Sequence, residues 1–193
     1  DAVVGQQNQG PTLIFYGRAS WPSLVTVANV SFTSIPANIS AESFGRSLAA
    51  GNFDGSGGDD LVIGRPIYPS ATSAHGRAYV YFSPWAEKST VTSASLTLLP
   101  FNNTQGRFGY SLATGRIDSD TKDDLIVGEI QTTPDSGVHD YGRISLFKGS
   151  SLTGSGTKKP DNTIISNVNK AWFGYSVAVG KLNGDDYADV AVG

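Results

Sequence analysis

The sequence of 193 residues contains no cysteine and no methionine. Without cysteine, the chain has no disulfide bond, no thiol nucleophile and no cysteine-ligated zinc site. The lack of an initiating methionine leads us to expect a processed product or a segment of a longer chain. No apolar run approaches the roughly 18 residues that a membrane-spanning helix needs. The formal net charge of -3 offers no basic surface for nucleic acid or for an anionic membrane.

Long segments with an apolar period near 3.6, which would indicate helices, are also missing. Glycine, in contrast, is abundant with 23 residues, and these glycines fit a chain with many turns. The balance of 39% hydrophobic and 16% charged residues is that of a globular protein. These observations together favour an all-β fold built from short strands.

One stretch, FGRSLAAGNFDGSGGDDLVIGRP at residues 44–66, recurs along the chain. Related copies are FGYSLATGRIDSDTKDDLIVGEI at 108–130 and FGYSVAVGKLNGDDYADVAVG at 173–193, and DAVVG at 1–5 matches the tail of another copy. The Phe-Gly pairs of the complete copies are 64 and 65 residues apart. Self-similarity at a nearly constant period predicts a repeat architecture.

Each copy consists of two short apolar runs on either side of a polar loop. The runs are rich in β-branched residues and bounded by glycine, and the loop is rich in Asp, Asn and Gly, which predicts a β-hairpin. Two further strands are predicted between one hairpin and the next. The third strands are expected at 12–16, 77–82 and 143–147, and the fourth at 24–30, 95–99 and 162–165.

The hairpin loop contains the chemically informative residues. In the loop at 52–60, oxygen-bearing side chains occupy positions one, three, five and nine, and a glycine carbonyl is available at position seven. Such alternation suits a hard cation like Ca²⁺, which takes six to eight oxygen ligands. The alternative is an ordinary turn whose side chains hydrogen-bond their own backbone. The candidate ligands of this loop are Asn52, Asp54, Ser56, Gly58 and Asp60.

The pattern FG…GxFDGxGxxDLxVGxP resembles the FG-GAP repeat of integrin α-subunit β-propellers, which is also found in a glycosylphosphatidylinositol-specific phospholipase D. The resemblance covers essentially the whole chain. It implies a β-propeller with four antiparallel strands in each blade and a Ca²⁺-binding loop in each repeat. The implied divisions are a partial blade at 1–36, full blades at 37–100 and 101–166, and a partial blade at 167–193.

The other two loops depart from the family pattern at their first position, where they have Arg116 and Lys181. Either a water molecule replaces the missing ligand, or the basic head group lies among the carboxylates in place of the ion. By ligand type, the loop at 52–60 is the best candidate and the loop at 181–189 the weakest. The remaining candidate ligands are Asp118, Asp120, the Lys122 carbonyl and Asp124, and Asn183, Asp185, the Tyr187 carbonyl and Asp189.

Two features of the sequence bear on the cellular compartment of the protein. Asn-x-Ser/Thr triplets, the acceptor sequence for N-glycosylation, occur at Asn29, Asn38 and Asn102. Calcium loops also fill more readily outside a cell than in the cytosol. We therefore expect a secreted or cell-surface protein.

The segments between second and third strands, 6–10, 65–76 and 129–142, differ in length and are expected to bind a protein or glycan ligand. No catalytic constellation stands out, so an enzyme is not predicted. Three functions stay open: an extracellular adhesion or ligand-binding module, a non-catalytic propeller of a secreted hydrolase such as a phospholipase D, and a structural unit of a surface filament or layer.

The chain supplies about three blades, whereas a closed propeller has at least four. An open arc leaves strand edges and blade faces exposed. We therefore expect either continuation of the repeat in a larger propeller or array, or end-to-end association of copies.

Overall fold

The computed structural model describes residues 2–5, 11–20, 28–33, 43–68, 75–102, 106–130 and 141–193. Apart from a 3₁₀ turn at Gly149–Ser151, the regular structure in these ranges is β-strand, which confirms the all-β prediction. The strands are β1 (Ala2–Val4), β2 (Thr12–Phe15), β3 (Val30–Phe32), β4 (Ser47–Gly51), β5 (Asp60–Arg65), β6 (Arg77–Tyr81), β7 (Ser89–Val91), β8 (Leu96–Leu98), β9 (Arg107–Gly115), β10 (Asp124–Ile130), β11 (Arg143–Phe147), β12 (Gly156–Lys158), β13 (Asn162–Ile165), β14 (Val177–Gly180) and β15 (Asp189–Val192).

The strands form sheets that follow the sequence repeat. β4, β5, β6 and β8 make one antiparallel unit of four strands, and β9, β10, β11 and β13 make the next. β1 to β3 correspond to the second to fourth strands of a preceding unit, and β14 and β15 to the first two of a following one. β9 packs against both β4 and β14, so the first strands of successive units are neighbours. This is the arrangement of blades in a β-propeller.

The fourth strand of the first unit differs from its predicted position. β3 begins at Val30 and not at residue 24, and residues 24–27 lie outside the described part of the chain. Asn29 marks the boundary because its side-chain Oδ1 accepts a hydrogen bond from the backbone N–H of Tyr16 at 2.8 Å. Ser95 bonds the N–H of Phe82 in the same way in the next unit. A polar residue that caps the third strand thus precedes each of these fourth strands.

Sequence analysis missed two strands, β7 and β12. Each lies in the connection between the third and fourth strands of its own unit but pairs in parallel with the outermost strand of the preceding unit, β7 with β3 and β12 with β8. Matching backbone bonds flank the two pairings, with Thr33 N–H donating to Val91 at 3.1 Å and Leu99 N–H donating to Lys158 at 3.0 Å. Each of the two four-stranded units therefore pairs with the outer edge of the unit before it.

The Phe-Gly-x-Ser motif makes a second contact between blades, at their inner strands. Gly109 and Gly174, the glycines of the second and third Phe-Gly pairs, have φ of 85° and 89°, a conformation that favours glycine. Their carbonyls accept hydrogen bonds from Ser47 and Ser111 of the preceding blades, both at 2.7 Å. A Cβ on Gly128 would clash with the Gly174 carbonyl, which explains the glycine after the second apolar run.

The hydrophobic core consists of layers between blades. One layer joins the unit of β1 to β3 with the unit of β4 to β8, and the other joins that unit with the unit of β9 to β13. All residues of β5 and β10 are buried, as expected for central strands covered on both faces. The blades stabilise one another by burying these apolar layers. The larger residues of the two layers include Phe32, Phe44, Tyr79 and Tyr81 in one and Phe53, Phe108 and Phe147 in the other.

A buried ion pair lies at the end of β10 and the start of β11. Arg143 Nε is 3.3 Å from Glu129 Oε2, and both side chains are almost completely inaccessible to solvent. Burial raises the pKa of Glu129 to about 7, and the positive charges of Arg143 and Lys159 oppose this rise. Arg143 also donates to Asn102 Oδ1 at 2.7 Å. The pair occupies an interior position of the fold, away from the hairpin loops.

Hydrogen exchange will test the pairing between blades. Leu99 N–H is bonded to β12, whereas Ile165 occupies the corresponding position of β13, whose outer edge has no described strand beside it. We expect the Leu99 amide to exchange about tenfold more slowly than the Ile165 amide, since strand pairing protects amides. Amide exchange followed by NMR measures both rates in one sample. Equal rates would contradict the pairing of β12 with β8.

Candidate metal centre

The three polar loops connect the two strands of their hairpins at the same end of successive blades. They join β4 to β5, β9 to β10 and β14 to β15. Neighbouring loops contact each other through the backbone: Asp123 N–H donates to the Asn52 carbonyl at 3.0 Å, and Ala188 N–H donates to the Arg116 carbonyl at 2.8 Å. The first position of one loop is therefore tied to the eighth position of the next.

The carboxylate at the ninth position fixes each loop to the blade. Asp60 Oδ2 accepts the N–H of Phe53 at 3.0 Å, and Asp60 Oδ1 accepts the N–H of Ser83 at 2.9 Å. The first bond closes the loop, and the second attaches it to the end of the third strand. Asp60 is buried, so these bonds compensate for the loss of water around its charge.

The same arrangement recurs in the other loops. Asp124 Oδ2 accepts the N–H of Ile117 at 2.9 Å, and Asp124 Oδ1 accepts the N–H of Gly149 at 2.9 Å. Asp189 Oδ2 accepts the N–H of Leu182 at 2.6 Å. The carboxylate at the ninth position therefore has a structural role in each loop, with or without a bound ion.

Burial raises the pKa of both Asp60 and Asp124, while hydrogen bonds from Ser83 and Phe53 to Asp60, and from Gly149 and Ile117 to Asp124, oppose the rise. The neighbouring carboxylates Asp54 and Asp118 also raise these pKa values. A nearby divalent cation would favour the ionised form of such carboxylates.

The carboxylate or amide at the third position forms a turn inside each loop. Asp54 Oδ1 accepts the N–H of Ser56 at 2.7 Å, and Asp118 Oδ1 accepts the N–H of Asp120 at 3.0 Å. In the third loop Asn183 Oδ1 bonds the N–H at position five at 3.0 Å. The backbone-bonded turns raised as an alternative on sequence grounds are therefore present. In Asp54 and Asp118 the turn uses one carboxylate oxygen and does not require the other, whereas in Asn183 it uses the single amide oxygen, and the amide nitrogen donates to Asp185 Oδ2 at 2.9 Å.

Position five continues this pattern in two loops. Asp120 Oδ1 accepts the N–H of Lys122 at 2.8 Å, and Asp185 Oδ1 accepts the N–H of Tyr187 at 2.8 Å. In the first loop position five is Ser56, which is exposed together with Gly58.

The second loop brings three carboxylates together. One oxygen each from Asp118, Asp120 and Asp124 lies within 4.8 Å of the others. The Lys148 ammonium is 3.3 Å from Asp118 Oδ2. The first loop has only two carboxylates among its proposed ligands, Asp54 and Asp60. The second loop therefore has the most acidic arrangement, although its sequence lacks the ligand at position one.

The first positions of the loops behave differently from one another. Asn52 Oδ1 accepts the N–H of Gly55 at 2.8 Å, so this side chain forms a turn in its own loop. Arg116 and Lys181 are exposed, and among the described residues neither forms an ion pair. The basic group found at the carboxylates of the second loop is Lys148, which follows β11 and which the sequence pattern did not single out.

The residues that follow the Phe-Gly pairs, Arg46, Tyr110 and Tyr175, form a row across neighbouring blades, and Trp172, which precedes the third pair, extends it. We call these four residues the aromatic row. Arg46 lies over the Tyr110 ring, 4.7 Å from its centroid, and donates to its hydroxyl at 2.8 Å. The rings of Tyr110 and Tyr175 are 5.0 Å apart, and Trp172 stacks on Tyr175 at 6.1 Å. Trp172 is 42% and Tyr175 47% exposed, so the row is an accessible aromatic surface.

The predicted glycosylation and ligand-binding segments are only partly described. Asn29 and Asn102 are partly buried, and each uses its side-chain oxygen as a hydrogen-bond acceptor, while Asn38 lies outside the described residues. Residues 6–10, 69–74 and 131–140 of the segments between second and third strands also lie outside them.

The blades, the Phe-Gly contacts and the repeated acidic loops define an FG-GAP β-propeller. No protein-family model matches the chain. Integrin alpha-PS2 of Drosophila melanogaster is 31% identical over 92% of this chain and 12% of its own length. Integrin alpha-8 of Mus musculus is 28% identical over 100% of this chain and 18% of its own length, and integrin alpha-IIb of Homo sapiens is 28% identical over 79% and 15%.

These similarities identify the chain as a member of the integrin α-subunit-like FG-GAP β-propeller family. The chain spans between 12% and 18% of the length of the relatives named here. Within the described residues, no helix is long and hydrophobic enough to cross a membrane.

The structural role of Asp60, the carboxylate that closes the first loop, can be tested in the absence of metal. In Asp60→Ala, the N–H groups of Phe53 and Ser83 lose their acceptor. A buried donor left unsatisfied costs about 1–3 kcal/mol, so we expect a loss of about 2–4 kcal/mol in the free energy of unfolding. Urea denaturation in the presence of a chelator measures this loss. Asp59→Ala, at the exposed neighbouring residue, should change stability by less than about 0.5 kcal/mol, and equal effects of the two substitutions would refute the role of Asp60.

Proposed function

We propose that this chain is a calcium-stabilised FG-GAP propeller module that acts outside the cell in adhesion, binds a protein ligand and is not itself an enzyme. Calcium binding is supported by the acidic cluster of the second loop, where oxygens of three carboxylates lie within 4.8 Å of one another. Carboxylate and carbonyl oxygens are the ligands that Ca²⁺ prefers. The donor set of this loop therefore fits the ion.

In this proposal each loop holds one ion. The ligands are the residues at positions three, five, seven and nine, together with Asn52 at position one of the first loop, and position seven contributes its backbone carbonyl. The ion would neutralise carboxylates that lie close together and would link the turn to the closing carboxylate. Since each loop is bonded to its neighbour, ion binding at one loop also stiffens the next. The proposed ligands are Asn52, Asp54, Ser56, Gly58 and Asp60; Asp118, Asp120, Lys122 and Asp124; and Asn183, Asp185, Tyr187 and Asp189.

The adhesion part of the proposal rests on the similarity to integrin α subunits and on the aromatic row. Exposed aromatic groups next to an arginine are enriched in protein interfaces. The row spans several blades, so its spacing is set by the rigid repeat and not by a loop.

Glycosylation at Asn102 is compatible with its bond to Arg143, because that bond uses the side-chain oxygen and a glycan attaches to the nitrogen.

The calcium proposal predicts a metal-dependent melting temperature. A ligand at 100 times its Kd stabilises a protein by about 2.7 kcal/mol, which for a chain of this size raises Tm by about 5 °C or more. Asp118→Asn and Asp54→Asn should reduce this rise but leave Tm in chelator nearly unchanged, because Asn retains the oxygen that accepts the turn N–H. Scanning calorimetry with and without Ca²⁺ provides the comparison.

Glu87→Gln is the matched control for that experiment, since Glu87 is an exposed acid outside the loops. It should keep the full calcium-dependent rise. An unchanged Tm on addition of Ca²⁺ to the wild-type chain would contradict the proposal.

If the chain acts in adhesion, cells should attach to a surface coated with it. Trp172→Ala and Tyr175→Ala should lower the number of attached cells about fivefold or more, because exposed aromatic side chains supply much of the binding energy at interfaces. Ile164→Ala is the control, since Ile164 is 60% exposed on β13 and lies outside the aromatic row. Equal attachment to all four coatings would show that the aromatic row is not the binding surface.

A further inference from the structure

Lys148 is the basic residue that contacts the acidic cluster of the second loop. Its Nζ is 3.3 Å from Asp118 Oδ2, and the two side chains are 41% and 28% exposed. The same Asp118 belongs to the group of three carboxylates whose oxygens lie within 4.8 Å of one another. The ammonium group therefore lies beside the place where the proposed function puts a cation.

The backbone on both sides of this lysine is fixed. Lys148 N–H donates to Asp161 Oδ2 at 2.9 Å, at the turn before β13. The next N–H, of Gly149, donates to Asp124 Oδ1 at 2.9 Å. Because Asp124 closes the second loop, its bond to Gly149 attaches the backbone next to Lys148 to that loop. This anchored backbone places the lysine side chain within reach of Asp118.

The preceding blade provides an internal comparison. Phe82 follows the third strand there, as Lys148 does after β11, and its N–H donates to Ser95 at 3.1 Å. The next N–H, of Ser83, donates to Asp60 at 2.9 Å. Phe82 packs against the core between blades and carries no charge. The two loops thus have the same backbone frame, but only the second has an ammonium group beside its third-position carboxylate.

We infer that Lys148 acts as a built-in counter-ion that lowers the calcium affinity of the second loop. This inference rests on the proposed function. Without an ion, the ammonium neutralises part of the charge of the clustered carboxylates. When an ion binds, the ammonium must leave Asp118 or stay close to a second positive charge, and both options oppose binding.

The test is a calcium titration of the whole chain and of Lys148→Met, followed by NMR at one amide for each loop. The N–H groups of Ser56, Lys122 and Tyr187 are suitable reporters, because Ser56 is bonded to a proposed ligand of the first loop, Lys122 to one of the second and Tyr187 to one of the third. We expect the Kd at the Lys122 amide to fall about tenfold in Lys148→Met, with the Kd at Ser56 changing by less than about twofold.

Lys159→Met is the matched control, because it removes the same charge from a lysine whose Nζ bonds the carbonyls of Pro100 and Phe101 and not the loop. It should leave the Kd at Lys122 within about twofold of the wild type. The inference is overturned if Lys148→Met gives the wild-type Kd at Lys122, or if Lys122 fails to respond in both proteins while Ser56 responds. If no loop amide responds to calcium in any protein, the proposed function itself fails, which is a different result.

Discussion

A carboxylate at the end of each hairpin loop accepts hydrogen bonds from backbone N–H groups and fixes the loop to its blade. Asp60, Asp124 and Asp189 all stand at the ninth loop position and all close their loop by accepting an N–H from position two. Asp60 and Asp124 also bond the backbone just after the third strand of the same blade. Loop, first hairpin and third strand are therefore one unit, and the other loop side chains occupy positions set by it.

The blades are coupled at both their inner and outer strands, which explains why the repeat is so regular. At the inner strands, a serine after the Phe-Gly pair bonds the glycine carbonyl of the next pair, and the tight approach permits only glycine at positions such as Gly128. At the outer strands, β7 and β12 pair in parallel with the preceding blade. Between these two contacts lie the buried apolar layers. Neighbouring loops are thus joined by packed and hydrogen-bonded structure.

Sequence reasoning identified what is local and repeated. The hairpins, the third strands and the acidic loops follow from patterns of a few residues, and β11 and β13 have the predicted bounds. It missed β7 and β12 because each has only three residues and pairs with another blade, so neither has a periodic pattern of its own. It also placed β3 too early, since the apolar residues before Asn29 look like a strand. Lys148 was missed because its meaning depends on a contact with Asp118, 30 residues earlier in the chain.

Sequence reasoning ranked the loops by ligand type alone, whereas the structure adds their surroundings. The first loop has the fuller set of ligands, and the second has more carboxylates together with a competing ammonium group. This contrast arises from neighbouring strands and could not be read from a loop of nine residues. The fold was thus accessible from the sequence, but the surroundings of each loop were not, and the candidate ligands stay a prediction.

We propose that the closing carboxylate holds each loop in a shape that directs several oxygens to one cation. Anomalous diffraction from crystals grown with Ca²⁺ would locate such an ion. We expect an anomalous peak inside the loops, with oxygens of Asp54 or Asp118 at about 2.3–2.6 Å from the ion. Well-ordered loops with no peak in any of them at saturating calcium would contradict it.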